Sequence, residues 1–422
     1  MYTMIRHKEN KVVDNFIADN NLFAIFEAPC HVLFIENFIK NINRFKDVFS
    51  RYNMGNNIFF SCKANKALSF LYYASKNDCG IEVSSLYELR DALKYTKKII
   101  ATGPGKSREY LQLAIANEVI ISVDDIQELE DIIAFSKPVK VFLRIANPIN
   151  LISRFGINKS DLSRCVNLIS NSSVKIVGLA FHINNYSLND RVLAIKECLK
   201  IIRENNLLVE YIDMGGGVPI SYSSKEEWNN FIKNNQYVDF FGNKKFNSFY
   251  PYYNEICAEK FIEEIFNQVK DDLGNIKIIS ELGRSLLDNC GITVFEVQYL
   301  KKLPNNEMLI VTNGNINDLS EQWFNTDYLI EPTLLARNTV KNETVYASVA
   351  GNLCLEQDMI TWRKIKFETY PMRGDYLIYH NTAGYQMDSN ESTFHKIPIL
   401  SKYVLRKEKN KNIIEKDENY DC

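Results

Sequence analysis

The chain has 422 residues, 46% apolar and 24% charged, with a net charge of -2. That is the balance of a globular protein with a large core; it gives a soft prior of two or three domains and sets up no field for nucleic acid or an anionic membrane. Nine cysteines without paired short spacings and five histidines without a His-x-x-x-His spacing exclude a disulfide framework and a dedicated metal cluster as starting readings, and point to thiols kept reduced in a cytoplasm.

The first residues, 1–20, are polar and mixed in charge and lack the apolar core of a signal peptide. No run of about 18 apolar residues follows that would span a membrane. Residues 1–29 read as an N-terminal segment that joins a later β domain. From residue 30 two kinds of segment alternate. Short β-branched or aromatic runs fall at 58–62, 80–83, 98–101, 119–123, 139–145, 174–182, 208–213 and 276–281. Between them lie stretches of helical spacing, such as Leu86, Leu89 and Leu93, or Val192, Ile195, Leu199 and Ile202. Eight strands interleaved with helices predict a closed (β/α)8 barrel over 30–285. Residues 221–252 form an insertion rich in Asn, Lys and aromatics, which either roofs a pocket or packs on a surface. After 286 the pattern changes to strands at 291–300, 307–312, 343–349 and 374–380, which predicts an all-β domain over 286–403. The charged tail, 404–422, reads as frayed.

Chemistry is expected where parallel strands end. Lys63 closes the run Ile58-Phe59-Phe60-Ser61-Cys62-Lys63, and a partly desolvated amine there is a candidate Schiff-base nucleophile. Four further runs end in similar polar or glycine-rich residues: Glu82, Arg144, His182 and Gly215-Gly216-Gly217, with Glu281-Leu282-Gly283-Arg284 after the last. Three successive glycines let backbone N–H groups approach an anion, although a lone Gly-Gly-Gly is more often an ordinary turn. An amine, a phosphate nest, an imidazole and a carboxylate are the components of a pyridoxal phosphate site.

With Ser61-Cys62-Lys63-Ala64-Asn65, Gly80-Ile81-Glu82-Val83, Thr102-Gly103-Pro104-Gly105-Lys106, Phe181-His182-Ile183-Asn184, Asp213-Met214-Gly215-Gly216-Gly217, Glu281-Leu282-Gly283-Arg284, Gly351-Asn352-Leu353-Cys354, Gly374-Asp375 and Ala383-Gly384-Tyr385 in this order, the chain resembles the fold-type III pyridoxal phosphate decarboxylases, the ornithine/diaminopimelate/arginine decarboxylase family. The resemblance covers about residues 25–400 and implies an alanine-racemase-like barrel with a C-terminal β domain. It implies that Lys63 holds pyridoxal 5'-phosphate covalently, that His182 stacks on its ring, and that Gly215, Gly216, Gly217, Arg284 and Tyr385 hold the phosphate. Glu82, Arg144 and Gly283 belong to the same cofactor site. Glu281 would pair with the ring nitrogen, and Cys354 would reprotonate the α-carbon from the partner subunit of a homodimer with shared active sites. A carboxylate about 4 Å from the protonated nitrogen contributes about 4 kcal/mol at an effective dielectric of 20, which keeps the electron sink charged. Racemases on the same fold place an arginine there, so Glu281 favours loss of carbon dioxide.

Three departures bear on the substrate. Diamine-forming members carry an acidic residue after the cysteine, where this chain has Leu355 and, one further on, Glu356. The family's Gly-Ser after the stacking histidine is Asn184-Asn185, and Asn185 retains a group able to bond phosphate. The usual proline of Glu-Pro-Gly-Arg is Leu282. The segment 313–328 would carry distal contacts and offers Asp318, Glu321 and Asp327. The expectation is a small-molecule carboxy-lyase for an atypical amino acid or amino-acid conjugate, such as a siderophore or antibiotic precursor. A diaminopimelate, ornithine or lysine decarboxylase and a racemase or epimerase stand as alternatives.

Overall fold

A computed structural model describes residues 4–146, 148–149, 152–246, 248–319, 327–338, 341–409 and 411–421. By contacts the chain forms two units. One contains 39–219 and 256–286; the other contains 1–38, 220–255 and 287–421.

The first unit is the barrel. Its strands are β1 (Ile58–Ser61), β2 (Gly80–Val83), β3 (Ile99–Ala101), β4 (Ile120–Val123), β5 (Val139–Arg144), β6 (Val174–Ala180), β7 (Tyr211–Asp213) and β8 (Lys277–Leu282). Each pairs in parallel with the next, and β1 pairs with β8 to close the ring. The strands are buried nearly throughout, as expected for a parallel sheet covered on both sides. The interior is filled by Phe59, Ile100, Phe142, Val177, Ala180 and Ile279. Large and small residues interdigitate there: a Cβ on Gly80 would lie 2.3 Å from the Phe59 ring, and one on Gly178 would lie 2.5 Å from Phe142.

The outer helices begin where side chains cap them. Ser85, Ser107 and Ser187 accept from the N–H three residues on, and Asp125 from that two residues on. Of the residues expected to face inward from helical spacing, Leu89, Leu129, Ile132, Val192, Ile195, Leu199 and Ile202 are buried, while Leu86, Leu93, Ile126 and Ile133 are half-buried.

The second unit is built on a nine-stranded sheet. Its main path runs Met359–Phe367, Val345–Ala350, Met308–Thr312, Gly291–Lys302, Cys30–Phe34, Ser401–Glu408, Lys411–Lys416. Strand Tyr376–His380 pairs with Gly291–Lys302 and with Thr333–Leu335. The sheet is mixed, because Cys30–Phe34 runs parallel to Ser401–Glu408 and Met308–Thr312 parallel to Val345–Ala350.

Two readings change here. The barrel unit begins at residue 39 rather than at 30, because the apolar run Cys30–Phe34 is spent in this second sheet; periodicity identifies a strand but not the sheet that receives it. Residues 404–421 are not frayed in their described part. Strands Ser401–Glu408 and Lys411–Lys416 form a hairpin, held by Arg406 to Glu415 at 2.8 Å and by Leu405 packed in the core. Their alternating charges sit on a strand rather than on a loose end. The insertion after β7 packs within this unit: Phe240, Phe246 and Phe249 cluster with Trp362 and Met359, and Phe231 meets Phe249 edge to face at 4.9 Å. Its aromatics therefore contribute to the packing of this unit. Among the described residues no helix is long and apolar enough to cross a membrane.

Candidate active site at the strand ends of the barrel

Lys63 lies in a single 3-10 turn, Cys62–Ala64, directly after β1. Its Nζ is 3.3 Å from Glu82 Oε2 in β2, and its side chain is 45% exposed while that of Glu82 is fully buried. The carboxylate is surrounded by donors. Hydroxyls of Ser61 and Thr102 donate to it by short bonds, and that of Ser84 does so at 2.9 Å. Burial alone would raise the Glu82 pKa, but the Lys63 ammonium and then the three hydroxyls outweigh it and hold the carboxyl below its ordinary range. A buried anion so satisfied fixes where the flexible lysine stem can put its amine.

On the other side of β1 lies β8, and beyond it β7. Gly215 and Gly217 have φ of +66° and +76°, which a side chain would strain. The turn also has no room for one. A Cβ on Gly215 would be 2.7 Å from His182 Nδ1, and one on Gly216 would be 2.6 Å from the Glu281 carbonyl oxygen. Gly215 N–H donates to Asp213 Oδ1 at 2.9 Å, its carbonyl accepts from Glu281 N–H at 3.0 Å, and Gly216 N–H donates to His182 Nδ1 at 3.4 Å. The imidazole, the glycine turn and the β8 backbone at Glu281 thus form one bonded group.

His182 follows β6. The barrel walls around it, and then the cations Lys63, Arg144 and Arg191, favour its neutral form; the ring is nonetheless open to solvent on one side, which weakens that preference. A neutral ring suits stacking better than a second cation would. Arg144, the last residue of β5, reaches Asp124 at 3.3 Å and lies 4.4 Å from the centre of the Phe155 ring. Gly283 and Arg284 follow β8 and are buried.

One carboxyl, Asp213, was undervalued by sequence reasoning. Asp213 is fully buried beside Glu281, and its Oδ2 has no hydrogen-bond partner. Burial, then the neighbouring Asp213 and Glu82, push Glu281 well above the ordinary carboxyl range; burial likewise raises Asp213 to about 7. Two like charges in one apolar site cannot both ionise at low cost, so the pair retains a proton near neutrality. The signal was Asp213-Met214 at the end of β7, read only as the lead-in to the glycines. A raised folded pKa means that stability is lost as pH climbs from the unfolded value near 3.8 to about 7. Over that window the Asp213→Asn apoprotein is expected to gain on the order of 4 kcal/mol relative to wild type. Urea unfolding of both at acid and neutral pH measures this, and parallel curves would refute it.

Asn185 is turned into its own loop. Its Nδ2 donates to Asp190 at 2.7 Å and its Oδ1 accepts from Ser187 N–H at 2.9 Å. It shapes the loop and does not present its amide outward.

The remaining candidates belong to the other unit. Cys354 is exposed at the tip of a turn between strands Val345–Ala350 and Met359–Phe367. That turn is fixed by Asp358, which accepts from Leu353 N–H at 2.6 Å and Ile316 N–H at 2.8 Å. Asp358 was not singled out from sequence, though it lies four residues past the cysteine. Leu355 is 46% exposed and Glu356 is exposed. Tyr385 has φ +76° in the turn after Tyr376–His380. Asp318 and Asp327 are buried and turned to backbone, Asp318 accepting from Asn315 N–H and Asp327 from Trp362 N–H; neither faces outward as a distal-end contact would. Glu321 lies outside the described residues. His7, Asp14 and His380 come together in this unit, but the two imidazoles stack face to face at 3.6 Å, so their in-plane lone pairs do not converge on one ion.

The barrel residues fit pyridoxal phosphate: a reachable amine, a glycine cradle that a Cβ would fill, a neutral imidazole and a carboxyl pair able to hold or yield a proton. Comparisons with known proteins agree. The family model described as "Pyridoxal-dependent decarboxylase, pyridoxal binding domain" matches residues 35–288. An uncharacterized protein of Sinorhizobium fredii, y4yA, is 32% identical over 90% of this chain and 88% of its own length. The L-glutamyl-[BtrI acyl-carrier protein] decarboxylase of Niallia circulans is 24% identical over 89% and 88%. In fold, the crystal structure of diaminopimelate decarboxylase from M. jannaschii in co-complex with L-lysine superposes with a TM-score of 0.75 at 21% identity, covering 94% of this chain and 91% of the other.

Proposed function

We propose a substrate class for this chain, which belongs to the pyridoxal-dependent decarboxylase family and is a carboxy-lyase using pyridoxal 5'-phosphate: an amino acid whose distal end carries no free cation, taken alone or already joined to a larger group. The observation that carries this is Leu355. It stands next to Cys354 with its apolar side chain exposed, where an acidic residue would be needed to pair a distal ammonium. A cation desolvated against leucine with no partner costs several kcal/mol. A relative named for acting on a glutamyl group attached to an acyl-carrier protein supports the conjugate form, and secondary-metabolite synthesis as its setting.

The cofactor, when bound, supplies an electron sink for the pair left behind as carbon dioxide departs. The chain's own residues do the rest. Lys63 would hold the cofactor through its amine. The Gly215–Gly217 turn, with Arg284 and Tyr385, would receive the phosphate. His182 would pack against the ring, and Glu281 would keep the ring nitrogen protonated. Cys354, supplied by a second copy of the chain in a homodimer, would donate a proton to the substrate.

Carbon dioxide release measured over a panel of D- and L-amino acids, their N-acyl and amide conjugates and carrier-bound aminoacyl groups tests the substrate class. A neutral or acidic amino acid or a conjugate is expected to exceed free L-ornithine, L-lysine and diaminopimelate by about a hundredfold in kcat/KM, the scale of one unpaired buried charge. Brisk turnover of any of those three would refute it.

A further inference from the structure

Arg191 lies on the helix Leu188–Glu204, 1% exposed, and is among the largest fully buried side chains of the chain. Its guanidinium meets no carboxylate in an ion pair among the described residues. It donates instead to backbone carbonyls: Nη2 to Asn185 O at 2.6 Å, Ile183 O at 3.3 Å and Gly216 O at 3.3 Å, and Nη1 to Ser187 O at 3.1 Å. Nη1 also reaches Asn185 Oδ1 at 3.4 Å, and Nε has no partner. Its charge centre is 5.5 Å from the centre of the Phe261 ring. A buried cation with no anion is costly and is rarely kept without use.

The contacts show a use. In a trans peptide the carbonyl and the following N–H point in opposite directions. Carbonyls of Ile183 and Gly216 drawn toward Arg191 therefore turn the N–H groups of Asn184 and Gly217 away from it. Neither N–H takes a hydrogen-bond partner among the described residues. The two loops so joined are those that carry His182 and the glycine turn. Arg191 also explains the third glycine, because a Cβ on Gly217 would lie 2.0 Å from Nη2.

We propose that Arg191 is a positioning residue for the cofactor's phosphate: it locks the 183–187 loop to the 215–217 turn with their N–H groups outward and places the buried positive charge behind them. This rests on the assignment of the glycine turn to the phosphate. It also accounts for Asn184-Asn185 in place of a Gly-Ser pair, since Asn185 gives both its carbonyl and its side-chain oxygen to the clamp.

Apoprotein of wild type, Arg191→Gln and Arg191→Lys would be titrated with pyridoxal phosphate and with pyridoxal, which lacks the phosphate, and binding followed by absorbance. Arg191→Gln is expected to weaken pyridoxal phosphate on the order of a hundredfold, the scale of removing one member of a desolvated charge pair, and pyridoxal by about threefold or less. Arg191→Lys, which keeps the charge but not the fork, is expected to fall between and decides the matter if the glutamine variant does not fold. An unchanged preference for the phosphate ester in a folded variant overturns the proposal. Wild-type apoprotein gives a check free of substitutions: inorganic phosphate should compete with pyridoxal phosphate and not with pyridoxal, and the absence of competition also overturns it. Wild-type protein that binds neither compound would defeat the cofactor-site reading itself, a different result from equal loss of both in the variants.

Discussion

Lys63→Ala is expected to give folded protein that lacks the visible absorbance of a lysine-tethered cofactor and releases carbon dioxide about a thousandfold more slowly or worse, because a tethered amine reacts intramolecularly and a free one does not. Folding should survive. The Lys63 side chain is nearly half exposed and contributes nothing to the core, while Glu82 keeps the hydroxyls of Ser61, Ser84 and Thr102. The lost pair should lower stability by about 1 kcal/mol at neutral pH, a figure discounted for the exposure of the amine. Because the Glu82 pKa is depressed in the folded protein, its contribution is present above the ordinary carboxyl range and fades as pH falls through the folded value. Mixed with a Cys354→Ala variant, the alanine protein should recover part of the activity if the cysteine acts from a second copy. A variant at Lys63 that keeps the visible band would remove this residue from its role, and mixtures with no recovery would remove the shared site.

Glu281→Gln is expected to lower kcat by about a thousandfold. The carboxamide cannot carry the negative charge that keeps the ring nitrogen protonated, and a charge pair at about 4 Å contributes about 4 kcal/mol at an effective dielectric of 20. Cofactor affinity should change by less than tenfold, since the glycine turn, Lys63 and His182 remain. This split separates an electronic role from a structural one. Near-wild-type kcat would show that Glu281 does not govern the sink. The neighbouring Asp213 makes the expectation sharper: with Asp213 buried alongside and poor in partners, the pair holds one proton, and the glutamine variant loses the ability to shift it.

Much of the barrel was legible because its local patterns agree with its final state. Each predicted strand ends within a few residues of the observed one, and the residues that converge (Lys63, Glu82, Arg144, His182, Asp213, Gly215) all lie within two positions of an observed strand end. Strand length and helical spacing are local properties, and parallel closure then sends every strand end to the same side. The distal-end candidates Asp318 and Asp327 show the opposite case. As letters they are acids in a polar stretch, and only burial reveals that they are turned to the backbone of their own unit.

From its sequence alone this protein has its alternation of strand and helix, the chemical identity of each strand end, the glycines of the turn and the leucine after the cysteine, all properties of residues and their near neighbours. Tertiary structure decided that Cys30–Phe34 enters the second sheet and that the tail closes as a hairpin on its edge. It also decided that Asp213 lies buried beside Glu281 and that Arg191 donates to backbone carbonyls rather than pairing with a carboxylate. These depend on partners far apart in the chain, and the free energy of burying a charge or pairing a strand is set by what surrounds it in space, which no local pattern specifies.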